Sequence, residues 1–402
     1  MKRKILTLVA CVFLSISALA EDFGTGLDGS LNVTGVLEPI HIAGTLSEAA
    51  SIGATTLKLD PRCLCLSNGD EILIVTTQSP TNAGKYEFAR VENVDNQPEL
   101  ITLTLESPLI KAFGALPANN TIVVAVRNYT AVYVAPLGKL RGEVLAFRAT
   151  ESVVIDGVVT VTGKGHAGGL SETIRQGRSQ IGGGGTGTEN AGGGGGGGED
   201  AIIPPGGGGG GYASSGETGQ STSSEGFPTV PGEGGTTYGE ENFAAQIHYG
   251  SGGGVGGHGI LGRNTLGGNG GGIVFICAPT ITINGTVESN GTDGEDGQGS
   301  VLSIRGGAGG GSGGSIWLRS AEFSGSGSVS AVGGSGGLPG SLLYETGRGG
   351  DGGDGRTRID GPGYGGFDIS SGSVFYGPAP IIEPTPTPKP LSSSVDGWES
   401  YQ

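Results

Sequence analysis

Hydrophobic positions in this chain gather into short strands, and the strands follow two patterns. In the first third, "SLNVTGV" (30–36), "EILIVTT" (71–77), "KYEFARVENV" (85–94), "LITLTLESPL" (100–109) and "TIVVAVRN" (121–128) are rich in β-branched and aromatic residues. Gly, Pro and Asn part them, as turns part strands. Ile101, Leu103 and Leu105 alternate with Thr102 and Thr104, the two-residue period of a strand with one buried face. The pattern predicts an all-β fold, beginning with a small β-barrel or sandwich over 21–140.

Farther along, one motif recurs: "VLAFRATESVVIDGVVTVTGKGHAGG" (144–169), "IVFICAPTITINGTVESNGTDGEDG" (273–297) and "SIWLRSAEFSGSGSVSAVGGSGGLPG" (315–340). Each copy reads as an apolar strand, a break, an alternating strand, a two-residue turn and a third strand that runs into glycine. The turns are Asp156-Gly157, Asn284-Gly285 and Ser326-Gly327, of which the first two carry strong turn chemistry. Val153, Ile155 and Val159, with Ile281, Ile283 and Val287, would stack into one core. This predicts a β-solenoid-like repeat domain over 141–376, with 170–272 inserted between the first two copies. The Pro-rich segment 377–402 reads as a stiff linker and tail.

Glycine changes the picture. Of the 87 glycines, residues 1–162 hold 12, residues 163–366 hold 72 and residues 367–402 hold 3. A share near one third raises collagen, but runs such as "GGGGTGTEN" break the Gly-X-Y triplet and exclude it. The runs between repeats are expected to form polyglycine-II helices, three residues per turn, which can lie side by side and exchange backbone hydrogen bonds. The competing expectation is a flexible linker.

Lys2, Arg3 and Lys4, then the apolar stretch Ile5 to Ile16 and Ala18-Leu19-Ala20, have the form of a signal peptide over 1–20, so the protein is expected to be secreted or held at the cell surface. No other stretch is apolar enough to be expected to cross a bilayer. The net charge of −16 becomes −19 once those three cations are removed, which argues against nucleic acid as a partner. Cys63, Cys65 and Cys277 remain; one disulfide and buried thiols both accommodate them.

Candidate chemistry is sparse. "GGSGG" at 310–314 and 333–337 fits the G-x-S-x-G elbow, but so glycine-rich a zone makes the match nearly inevitable. Asp293 and Asp296 in "GTDGEDGQG", with Asp351 and Asp354 in "GRGGDGGDG", are the densest acidic groups. They lie in turns after repeat strands, so no catalytic residue is assigned. Calcium is the one cofactor they suggest, and solvated turn carboxylates are the competing reading. Tyr212, Phe227, Tyr238, Phe243 and Tyr249 sit among small residues, where they would stack on sugar rings or pin the loop to the repeats.

The stretches "GDEILIV", "YEFARVENV", "ITLTLESPLI" and "VLAFRATESVVIDGVVTVTGKGHAGG", with "GGGSGGSIWLRS", resemble a loosely defined group of secreted glycine-rich bacterial surface proteins. The resemblance covers most of residues 28–366. It implies an exported, adhesin-like or matrix protein and carries over no catalytic residue. The glycine block is also similar in composition to polyglycine-II regions of phage tail adhesins and of the extracellular part of anaplastic lymphoma kinase-type receptors.

The leading expectation is therefore a non-enzymatic adhesive or structural protein, partnered by a cell-surface glycan, a matrix component or its own copies. The alternative is a β-solenoid enzyme acting on polysaccharide. An ice- or mineral-binding protein is a third reading, which the irregular runs disfavour.

Overall fold

The computed structural model describes residues 23–380, apart from 40, 171–174, 181, 184–192, 198–202, 222, 225–226, 260–262, 301–302, 341–345 and 363–365. The expected signal peptide and most of the Pro-rich tail lie outside the described residues. What is described is all-β, as expected from the alternating patterns.

Six strands close the first unit: β1 (Ile42–Leu46), β2 (Thr56–Pro61), β3 (Glu71–Gln78), β4 (Tyr86–Gln97), β5 (Leu100–Leu105) and β6 (Asn120–Val134). They pair antiparallel in the order β6-β1-β2-β5-β4-β3, and β3 pairs back onto β6 to complete a ring. Leu57, Leu59, Ile72, Ile74, Ile101 and Leu103 fill its interior. The Thr residues alternating with Ile101 and Leu103 point the other way, as a two-residue period requires.

Strand β6 then leaves the ring. Its first half, through Val126, pairs with β1 and β3, while Arg127–Val134 pairs in parallel with β8 (Val144–Ile155). Parallel pairing continues through β10 (Ile273–Ile283), β12 (Ser315–Ser324), β14 (Arg356–Asp360) and β16 (Ser373–Gly377). The repeat copies lie in register: Leu145, Val274 and Ile316 occupy one row. A second parallel sheet contains β7 (Lys139–Arg141), β9 (Val158–Thr160), β11 (Thr286–Glu288), β13 (Ser328–Ala331) and β15 (Asp368–Ser371). Between the sheets lies a core including Val153, Ile155, Val159, Ile281, Ile283 and Val287, all fully buried. The two-residue turns stack as well, with Asn284 Nδ2 donating to Asp156 Oδ1 at 2.8 Å.

The glycine segments stand beside this stack and are not loose among the described residues. Residues 206–210 address neighbours on three sides in turn. The amides of Gly206 and Gly209 donate to Gln220 and Glu217, those of Gly207 and Gly210 donate to Gly307 and Gly310, and that of Gly208 donates to Gly195. A three-residue period underlies this. It lets backbone groups that have no sheet find partners away from water. Side chains are excluded by space: a Cβ on Gly207, Gly208 or Gly209 would meet a neighbouring carbonyl oxygen closer than real Cβ atoms come.

Candidate functional site

An open cleft of about 650 Å³ lies where the ring meets the parallel sheets. A second hollow of about 270 Å³ adjoins it, and Arg62, Glu143 and Gly165 line both. The volume falls in the range of ordinary ligand sites.

Arg62, Glu143 and Glu38 sit just beyond strand ends. Arg62 follows β2, and its amide donates to the Ala43 carbonyl at 2.7 Å. Glu143 occupies the short turn between β7 and β8, next to buried Val144. Lys164 follows a turn after β9 in which Gly163 takes a φ of 68°, a conformation that L side chains rarely adopt. Glu38 precedes β1, and Arg178 and Tyr249 arrive from the glycine-rich insertion.

These groups are linked by charge and hydrogen bonds. Lys164 Nζ lies 2.8 Å from Glu38 Oε1, and Arg141 Nε lies 2.8 Å from Glu38 Oε2. The Lys164 hydrogen bond is the main reason the Glu38 carboxyl titrates below its usual range. Both terminal nitrogens of Arg62 donate to Glu143 Oε2 at 3.4 Å. The Tyr249 phenol donates to Glu143 Oε1 at 3.1 Å. Burial, reinforced by Glu143, raises that phenol well above its ordinary pKa, so it keeps its proton.

Two histidines complete the walls. Burial lowers His41 to about 4 and His166 to about 3, with Arg127 and Arg178 as the respective secondary causes. Both are neutral near pH 7. Among the described residues, neither ring nitrogen of His41 accepts or donates a side-chain hydrogen bond, nor does Nε2 of His166.

The residues singled out in the sequence fare differently. The four aspartates bond to backbone amides: Asp293 Oδ1 accepts from Ser335 at 2.7 Å and Asp296 Oδ1 from Leu338 at 2.8 Å. Asp351 Oδ1 accepts from Gly336 at 2.7 Å, and Asp354 Oδ1 from Gly333 at 3.0 Å. They clamp the segment 332–338 between its neighbours. Bound in this way they do not converge, and among the described residues no group of three or more His, Cys, Asp or Glu could hold a metal.

Of the aromatics, Tyr212, Phe243 and Tyr249 are buried, as the loop-pinning alternative requires. Tyr212 Oη lies 2.8 Å from Ser315 Oγ, and the Phe243 carbonyl accepts the Tyr86 hydroxyl at 2.7 Å. Tyr238 donates to the Tyr249 carbonyl at 2.7 Å and its ring lies 4.8 Å from that of Tyr212. These four pin the insertion to the sheet, and Tyr249 alone of them also reaches the cleft. Phe227 lies in the two-residue strand Phe227–Pro228. Ser312, in the first "GGSGG", is fully buried and accepts the Ser251 amide at 2.7 Å. Cys63 and Cys65 are joined as a disulfide, and Cys277 is a buried thiol.

Glu38, Arg62, Glu143, Lys164 and Arg178 went unmarked in the sequence. Each is a single charged residue with no patterned neighbours, and Glu143 and Tyr249 are separated by 106 positions.

No family model matches the chain, and no curated protein matches it. Among solved structures, it is similar to the Gp54 tailspike of Acinetobacter baumannii bacteriophage AP22, solved in complex with A. baumannii capsular saccharide. The identity is 11% and the TM-score 0.20, with 86% of this chain and 59% of the tailspike chain covered. This chain thus spans about three fifths of the protein it matches. The leading expectation of a non-enzymatic adhesive or structural protein gives way to its polysaccharide alternative, taken up below on the cleft's own side chains. So low a TM-score transfers neither fold nor residue; function must be sought in the cleft's own side chains. No helix among the described residues is long and apolar enough to cross a membrane.

Proposed function

We propose that this chain is an exported polysaccharide-active enzyme of β-solenoid build. The stacked parallel strands are its coils, and the glycine segments are inserted polyglycine-II helices. The observation that carries the activity is the pair Glu38 and Glu143 on the walls of one open cleft. Cleavage of a glycosidic bond needs one carboxyl group to protonate the leaving oxygen and another to act as base or nucleophile. Glu38, kept ionised by Lys164, suits the second role. Glu143, the other carboxyl group on the walls, is left for the first role, and the Tyr249 phenol fixes its position.

The mature protein incubated with a panel of polysaccharides should generate new reducing ends, and Glu143→Gln should slow that release by roughly 10²- to 10⁴-fold. Absence of cleavage across the panel, or a wild-type rate in the variant, would overturn the assignment.

A further inference from the structure

We infer that the cleft takes an anionic sugar chain, whose carboxylate or sulfate groups are held by Arg62, Lys164 and Arg178. This rests on the polysaccharide reading above and names the substrate class.

The chain carries 38 acidic and 22 basic residues, so an average surface patch is negative. The cleft reverses that bias. Its charged walls are Arg62, Lys164 and Arg178 against Glu38 and Glu143, and the two neutral histidines add no charge. Both carboxylates already have cationic neighbours, Glu38 two of them and Glu143 one. Arg178 is exposed and makes no ion pair among the described residues. An excess of cations on a wall repels itself unless an anion arrives to meet it.

The arrangement along the cleft adds to this. Lys164 lines the larger hollow, Arg178 the smaller, and Arg62 the wall they share. Cations spaced along a trough match a polymer that repeats its charge from sugar to sugar. Guanidinium groups bind carboxylate and sulfate through paired N–H donors.

The test is affinity electrophoresis of the full mature chain in polygalacturonate, its methyl-esterified form, dextran sulfate and dextran. Retardation by polygalacturonate or dextran sulfate should exceed that by dextran and the ester by about tenfold or more, and should weaken as NaCl rises. Which of the two anions binds decides between carboxylate and sulfate. Arg178→Gln should weaken retardation several-fold without moving the thermal midpoint, because that side chain is exposed. Equal retardation by dextran would overturn the anionic inference and leave the polysaccharide reading standing. No retardation in any of the four would overturn both.

Discussion

Arg148 closes a fork on Glu71 across the seam between the ring and the parallel stack. Its Nε lies 2.9 Å from Glu71 Oε2, and its Nη2 lies 2.9 Å from Oε1. Asn128 adds a bond to the same carboxylate at 3.3 Å, and the guanidinium carbon sits 5.4 and 5.3 Å from the ring centroids of Phe88 and Phe275. Both partners are nearly fully buried. A buried pair contributes little net stability, yet removing one member leaves a charge stranded.

Arg148→Met should therefore cost about 3–5 kcal/mol in urea unfolding. The double variant Glu71→Leu with Arg148→Met should recover most of that loss. Equal losses in the single and double variants would show that packing between Phe88 and Phe275, and not charge, holds the seam.

The aspartate clamps make a second expectation. Replacing Asp293, Asp296, Asp351 and Asp354 with Ala removes the acceptors of four amides, at about 1 kcal/mol or more each. The thermal midpoint should fall, whereas Asn replacements, which keep an acceptor oxygen, should lose less. A chelator should leave the wild-type midpoint unmoved; a fall on chelation would place calcium in these turns.

Gly193 and Gly197 test the glycine packing. A Cβ on Gly193 would meet the Gly177 carbonyl, and one on Gly197 would lie 2.7 Å from the Gly257 nitrogen. Alanine at both should lower the midpoint and speed amide exchange across 206–211. Gly35, where an added methyl would have nothing within 4 Å, is the control. In a mere linker, the same alanines would be neutral or stabilise by a few tenths of a kcal/mol.

Acid should destabilise the fold through its histidines. Burial holds His166 and His248 near 3 and His41 near 4, all below the ordinary 6.5. A depressed folded-state pKa gives stability that is full above about pH 6.5 and drains as pH falls toward the folded value. The midpoint should drop between pH 6.5 and 4, with each histidine taking up as much as one proton on unfolding. His248→Phe should flatten that slope; an unchanged slope would place the acid sensitivity elsewhere.

The strands were legible because Ile, Val and Thr alternate with a period that only a sheet satisfies, and the repeats because Ile155, Ile283 and their neighbours recur in step. Strand β6 runs past its expected end at Asn128 to Val134 because it changes partners there, which no local pattern records. The three-residue spacing of Asn290, Asp293 and Asp296 was visible, but its partners are amides of the glycine-rich segment 332–338, whose side chains gave no signal. Glu38 and Glu143 were hidden for a related reason. Their neighbourhood is assembled by chain closure, not by adjacency.

The glycine packing also bears on how long the protein survives proteolysis. Proteases grip an extended strand through its side chains and its free amides. Residues 206–210 have no side chains, and their amides already donate to neighbouring segments. Such a region gives a protease no pocket-filling group and no backbone edge to seize, so composition that looks fragile on paper becomes a form of armour.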